Sequence, residues 1–239
     1  MRFLDLTLPS LAENLALDEA LLDEAETSVA PLETLRVWES STPGVVVGRS
    51  SHVHVEVRGE VCRDLRVPVL RRISGGAAVV VGPGCLMYAL VLSLRRRPEL
   101  RAIDTAHTHV LGTIAAALRP SVPGLAMRGT CDLALDEKKV SGNSVRCKRD
   151  YLLYHGTLLY GSSLEMVSRL LAMPPRQPEY RNARGHDIFV TNLPLDVDSL
   201  RAALRSAWDA CEPCPQWPRA ETERLVAEKY SQRQWNEQL

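Results

Sequence analysis

Apolar residues recur along the chain with two different periods. Leu11, Leu15, Leu22 and Ala25 return at helical spacing. Ser10, with Glu13 three positions later, adds a capping-box signature, so a first helix is predicted there. Apolar runs then predict strands over residues 35–39, 45–49 and 67–72, the first two split by the turn signal Thr42-Pro43-Gly44. Residues 77–81 and 86–94 read as the arms of a hairpin about Gly82-Pro83-Gly84. An Ala-rich helix is expected over 104–118, stopped by Pro120. Strands follow at 132–135, 139–143 and 152–160, with a turn at Asp136-Glu137. A helix over 164–171 ends at Pro174-Pro175, and further helices are expected near 199–211 and 220–230. Strands fill the first two-thirds and helices the last third. That order predicts an α/β fold of the α+β type, a mixed sheet with helices on one side.

Composition bounds the function. With 239 residues, 45% hydrophobic, the chain is long enough for one large domain, expected to span 1–239 without an accessory C-terminal domain. The formal net charge is zero, so no basic surplus marks nucleic acid as a ligand. Arg95-Arg96-Arg97 reads as a solvated turn or a docking rim. The start, Met1-Arg2-Phe3-Leu4-Asp5, lacks the apolar core of a signal peptide. No apolar run approaches the ~20 residues of a membrane span. Six cysteines do not form the pattern of a disulfide framework, so a cytoplasmic protein with free thiols and no membrane partner is expected.

Three polar, glycine-containing segments interrupt apolar strands. Arg71-Arg72-Ile73-Ser74-Gly75-Gly76-Ala77-Ala78 places a Gly pair after two arginines; such a loop either cradles an anion on its backbone N–H groups or makes a strained turn. Lys138-Lys139-Val140-Ser141-Gly142-Asn143-Ser144 offers a lysine that either points inward to hold a carboxylate or phosphate, or decorates a surface turn. His155-Gly156-Thr157 breaks an apolar strand. It either admits a ligand to the backbone or holds a hydrogen-bonded core histidine.

In order and content these segments resemble the lipoate-protein ligase and octanoyltransferase family, relatives of the biotin-protein ligases. The likeness starts at Asn14-Leu15-Ala16-Leu17-Asp18-Glu19-Ala20-Leu21-Leu22 and continues through Val47-Gly48-Arg49-Ser50. Residues 71–78 are similar to the family's RRxSGGGAV, residues 139–144 to its K-[IV]-[SA]-G-[SN]-[AS], and residues 155–159 to its HG-[ST]-L-L. Tyr180-Arg181, Arg184, residues 189–193, Lys229-Tyr230 and Trp235-Asn236 also fit. The resemblance implies a largely antiparallel mixed sheet flanked by helices, a catalytic domain like those of class II synthetases and biotin ligases.

It also implies chemistry. In the ligase branch, ATP with Mg2+ and lipoate or octanoate give an acyl-adenylate, which a lysine of a lipoyl domain attacks. Such domains occur in 2-oxoacid dehydrogenases and glycine-cleavage H-type proteins. Lys139 stands at the essential lysine. Arg49, Arg71, Arg72, Ser74, Gly75, Gly76 and Ala77 would surround substrate and adenylate on one side, with Ser141, Gly142, Asn143, His155, Gly156 and Thr157 on the other. In the transferase branch, a cysteine takes octanoyl from acyl carrier protein without ATP. Neither usual address of that cysteine holds a thiol here. Cys131, eight positions before Lys139 where ligases carry the Asn of Asn-Asp-[LI], is the candidate, ahead of Cys85 and Cys147. Two further departures stand out. Ala77 replaces a third Gly, and Val81-Gly82-Pro83-Gly84-Cys85 lacks both the ligase His-Asp-x-Gly-Asn and the transferase histidine. The expectation is an ATP-dependent ligase, with transferase and non-catalytic binding protein as alternatives.

No metal site is expected. Cys211-Glu212-Pro213-Cys214 has no second ligand pair. His107 and His109 fall on different faces of a helix, and His52 with His54 lacks a third ligand.

Overall fold

The first helix begins where its capping box lies. In the computed structural model, which describes residues 1–239, the Ser10 hydroxyl accepts the Glu13 N–H and the Glu13 carboxylate accepts the Ser10 N–H. The helices are α1 (Leu11–Thr27), α2 (Val53–Glu56), α3 (Gly59–Asp64), α4 (Ile103–Leu118), α5 (Leu164–Leu170), α6 (His186–Phe189), α7 (Val197–Ala207), α8 (Arg219–Leu225) and α9 (Arg233–Asn236). The strands are β1 (Arg2–Asp5), β2 (Thr34–Trp38), β3 (Gly44–Val47), β4 (Val69–Arg71), β5 (Val79–Val81), β6 (Cys85–Ser93), β7 (Ala126–Arg128), β8 (Asp132–Leu135), β9 (Lys138–Cys147), β10 (Tyr151–Leu159) and β11 (Glu212–Pro213).

Eight strands form one sheet in the order β11-β1-β2-β6-β10-β9-β8-β7, antiparallel except where β1 meets β2 and β11. The other three form a small sheet, β4-β3-β5. Helices cover the large sheet on both faces, correcting the one-sided expectation. Along β6, Leu86, Tyr88, Leu90 and Leu92 pack toward α4 and α7, while Met87, Ala89 and Val91 pack toward α1. Every residue of β6 and β10 is buried, and such unbroken apolar strands need cover on both sides. Each leucine so buried contributes about 2 kcal/mol.

The expected hairpin at residues 77–94 does not form. β5 pairs with β3 in the small sheet, and β6 with β2 and β10 in the large one. The Gly84 carbonyl accepts the N–H groups of Tyr160 and Gly161 at 2.9 and 3.0 Å. Gly84 has φ +82°, and a Cβ there would lie 2.1 Å from the Gly161 carbonyl carbon. The bend therefore docks on the end of β10 and carries the chain between sheets. The strands β1, β7 and β11 and the one-turn helices α2, α3, α6 and α9 have no counterpart among the expected elements, being too short to show a period.

No helix is long and apolar enough to cross a membrane. His52 immediately precedes α2 and His54 lies within it, so the two do not share an extended segment; their rings are 5.7 Å apart. No cluster of three or more His, Cys, Asp or Glu side chains suited to a metal ion occurs.

Candidate functional site

β8 and β9 form a two-residue hairpin in which Asp136 (φ 49°) and Glu137 (φ 61°) both adopt left-handed backbone. Two turn residues with positive φ match the twist of antiparallel strands. Arg184 donates to the Glu137 carbonyl at 2.9 Å, and Arg128 pairs with the Glu137 carboxylate.

The pairing then slips. Asp132 lies opposite Gly142 and Leu133 opposite Ser141, but Ala134 lies opposite Lys139, so Val140 bulges out. Regular pairing would set Lys139 opposite Leu135, on the other face of the sheet from Asp132. The bulge puts both on one face, and Lys139 Nζ lies 2.7 Å from Asp132 Oδ1. Asp132 Oδ2 accepts the Tyr180 hydroxyl at 2.8 Å. A Cβ on Gly142 would sit 3.0 Å from Lys139 Cε and Nζ, so the glycine leaves the lysine its channel.

Lys139 opens into a cavity of about 380 Å³ lined also by Arg72, Gly76, Ala77, Cys131, Asp132, Ser141, Gly142, Asn143, His155, Gly156 and Thr157. The glycine loop faces it in a particular way. Its carbonyls are all used inside the protein: Ser74 O by Arg49 N–H, Gly75 O by Arg72 and the Ser144 hydroxyl, Gly76 O by the Ser51 hydroxyl, and Ala77 O by Arg72. The N–H groups of Gly75, Gly76 and Ala77 have no acceptor within the protein. Carbonyls tied back with amides left free make an anion-binding concavity. Burial lowers the Arg72 guanidinium to about 10, so it stays charged at neutral pH.

A match to the family described as the lipoyl protein ligase A/B catalytic domain covers residues 10–204. The chain belongs to that family. A putative lipoate-protein ligase A of Aeropyrum pernix is 32% identical over 200 residues, covering 82% of this chain and 70% of that protein. The octanoyltransferase LipM of Oceanobacillus iheyensis is 28% identical over 195 residues, covering 75% and 71%. Other relatives named lipoate-protein ligase A are longer, and the matched region spans only 41–45% of them. Among solved structures, a lipoate-protein ligase A bound with ATP superposes with a TM-score of 0.81 at 21% identity, over 99% of this chain and 98% of that one. A bi-partite lipoate protein ligase from Thermoplasma acidophilum, described with its E2 lipoyl domain, gives 0.81 at 22%, over 99% and 95%.

Seen as a lipoyl ligase-type domain, the site departs from the sequence expectations in several places. Arg71 is not in the cavity. It is fully buried and donates to five carbonyls, those of Gly48, Arg49, Ser51, Trp235 and Asn236. Arg49 is exposed, and its side chain does not line the cavity. Ser74 and Gly75 also lie outside the lining. The Ser74 hydroxyl turns inward to share a hydrogen bond with His155 Nε2. His155 Nδ1 then lies 3.6 Å from Asp18 Oδ2, and Asp18 pairs with the buried Arg36. Neither that nitrogen nor that oxygen has a hydrogen-bond partner.

Asn143 bridges strands: its amide donates to Cys131 O at 2.8 Å and its oxygen accepts the buried Tyr88 hydroxyl. A Cβ on Gly156 would fall 1.8 Å from that oxygen, which explains the glycine. The Thr157 hydroxyl accepts the Gly142 N–H at 3.1 Å. Cys131 lines the cavity, and burial first, then Asp132, pushes its thiol above the ordinary range. Cys85 is fully buried and pushed up to about 12, chiefly by burial, and Cys147 is raised for the same reason.

Sequence reasoning missed Asp132, Glu56 and His186, and gave Arg181 no site role although it fits the family pattern; all four are in the lining. Asp132 was findable, since it occupies the acidic position of the family's Asn-Asp-[LI]. His186 sits 3.3 Å from Arg181 and has its pKa lowered by burial; nothing in its local pattern marks it.

Proposed function

We propose that this chain attaches lipoate or octanoate to a lysine of a lipoyl domain through an acyl-adenylate made from ATP. In the first half-reaction a carboxylate oxygen of the fatty acid attacks the α-phosphorus, an O–P bond forms and pyrophosphate leaves. In the second, the acceptor amine attacks the acyl carbonyl, AMP leaves with the C–O bonding pair, and the amine gives up a proton. The observation that carries this reading is the glycine loop, whose Gly76 and Ala77, with their free N–H groups, share one cavity with Lys139 and Arg72. Both half-reactions concentrate negative charge at the phosphate and carbonyl, and fixed donors there stabilise it without reorganisation.

The remaining lining fits the same scheme. Leu15, Val46, Val79, Met87 and Leu159 supply an apolar limb for an eight-carbon tail. The carboxylates in the lining are those of Glu56 and Asp132, so Mg2+ would be held mainly by phosphate and water, as this ion prefers. Lys139 would release Asp132 to meet the incoming anion. Both sheets contribute to the cavity, which supports treating residues 1–239 as one catalytic domain. The ATP-bound and lipoyl-domain-associated structural neighbours support nucleotide and acceptor, here the lipoyl domains of 2-oxoacid dehydrogenases or H-type proteins.

A second reading is octanoyl transfer from acyl carrier protein through a Cys131 thioester. Its support is the place of Cys131 beside the Lys139–Asp132 pair and the LipM relative. Burial works against it, because a thiol held neutral at pH 7 is a poor nucleophile. One experiment decides. Apo lipoyl domain is incubated with the protein and either octanoate plus Mg-ATP or octanoyl-acyl carrier protein, and its mass is measured. Octanoylation in the first mixture alone is expected; gain in the second alone would establish the transferase, and gain in neither a non-catalytic binding role.

A further inference from the structure

The Glu56 carboxylate has no task in acyl transfer, yet it faces the cavity in which transfer would occur. Glu56 ends α2, is 7% exposed and lines the cavity. Its Oε2 accepts the Ala78 N–H at 2.6 Å, and its Oε1 has no partner within the protein. That oxygen is accessible from the cavity, so a ligand donor can reach it there, while Oε2 is held by the loop.

The surroundings narrow the ligand. Along β5, Val79 packs into the core under α1, whereas Ala78 and Val80 pack into a separate core with Val167 and Leu171 of the α5 region. All of these line the cavity, which therefore has a second apolar limb on the other face of the small sheet from the acyl limb. β5 is also an edge strand, so its outer backbone groups have no strand partner. Apolar walls, an open strand edge and one acceptor that cannot donate suit a flat heteroaromatic ring bearing an exocyclic amine.

We propose that Glu56 is a specificity-determining residue that reads the amino group of the nucleotide base. The inference rests on the ATP-dependent reading of the site. A 6-amino purine offers Oε1 an N–H donor, whereas a 6-oxo purine sets a carbonyl oxygen against the carboxylate. A ribose hydroxyl is the other donor that a nucleotide brings, and the apolar walls favour the base.

The test compares ATP, ITP and 2′-deoxy-ATP, by direct binding and by pyrophosphate release with octanoate, in the unmodified protein and in Glu56→Gln. Glutamine keeps an oxygen for the Ala78 N–H and gains an NH₂ group that can donate to a 6-oxo base. ATP should be preferred over ITP by about tenfold or more, and Glu56→Gln should lower that ratio by a similar factor while leaving the ratio of ATP to 2′-deoxy-ATP unchanged. An equal loss with ATP and ITP would reduce Glu56 to a loop support and overturn the proposal. A change confined to 2′-deoxy-ATP would place the carboxylate on the ribose and also overturn it. If Glu56→Gln does not fold, N6,N6-dimethyl-ATP asks the same question of the unmodified protein, and binding as tight as ATP refutes base reading. Binding of no nucleotide at all refutes the ATP-dependent reading itself, whereas activity with ATP that ignores the 6-substituent refutes the role of Glu56 alone.

Discussion

Lys139 Nζ and Asp132 Oδ1 lie 2.7 Å apart because Val140 bulges out of β9. The bulge turns a lysine that regular pairing would send to the opposite face into the cavity, and the carboxylate holds it there. An ammonium anchored in this way is preorganised for an anion, and Tyr180 steadies the carboxylate from its other oxygen.

Lys139→Ala is therefore predicted to abolish acylation of a lipoyl domain. Asp132→Asn should lower kcat by about 10- to 100-fold, less than the roughly 100- to 1,000-fold of removing a preorganised donor itself, because the lysine remains. Mass spectrometry of the acceptor measures the first and single-turnover kinetics the second; full turnover by Lys139→Ala would remove the lysine from the mechanism.

Arg71 should matter to stability rather than to substrate. Arg71→Met leaves several buried carbonyls unpaired and is expected to cost about 3 kcal/mol or more. Urea denaturation tests this, and an unchanged midpoint would contradict the clamp.

Gly156→Ala is expected to displace Asn143, since the new Cβ would fall 1.8 Å from its side-chain oxygen. Overpacking of this kind costs about 1–3 kcal/mol. Asn143 ties the Tyr88 hydroxyl to the Cys131 carbonyl beside Asp132, so acylation should fall along with thermal stability. Unaltered melting and activity would show that the strand relaxes freely.

Cys131→Ala should leave ligase turnover within about twofold, because a neutral buried thiol contributes packing alone. Burial and Asp132 raise its pKa, so the reactive thiolate is scarce at pH 7 and grows only as pH rises past the ordinary thiol value of 9.0. Site-resolved iodoacetamide labelling should therefore be slow at pH 7 and accelerate above pH 9. Fast labelling at pH 7 would revive the thioester route.

The sequence by itself determined the elements whose signals are local. The Ser10–Glu13 box and the recurring leucines of α1 specify that helix through contacts three and four residues apart, and the apolar runs of β6 and β10 specify two strands, although helices were expected on only one side of their sheet. The three motif segments were also legible, and most of their residues meet in one cavity. Only the tertiary structure decided which way the side chains point. Arg71 and Arg72 are adjacent and chemically alike, yet one clamps carbonyls up to 165 residues away while the other lines the cavity. That division depends on where α9 packs, which no local period encodes. Lys139 faces Asp132 through a one-residue register slip, and in a strand of period two such a slip reverses a face without leaving a mark in the residue pattern.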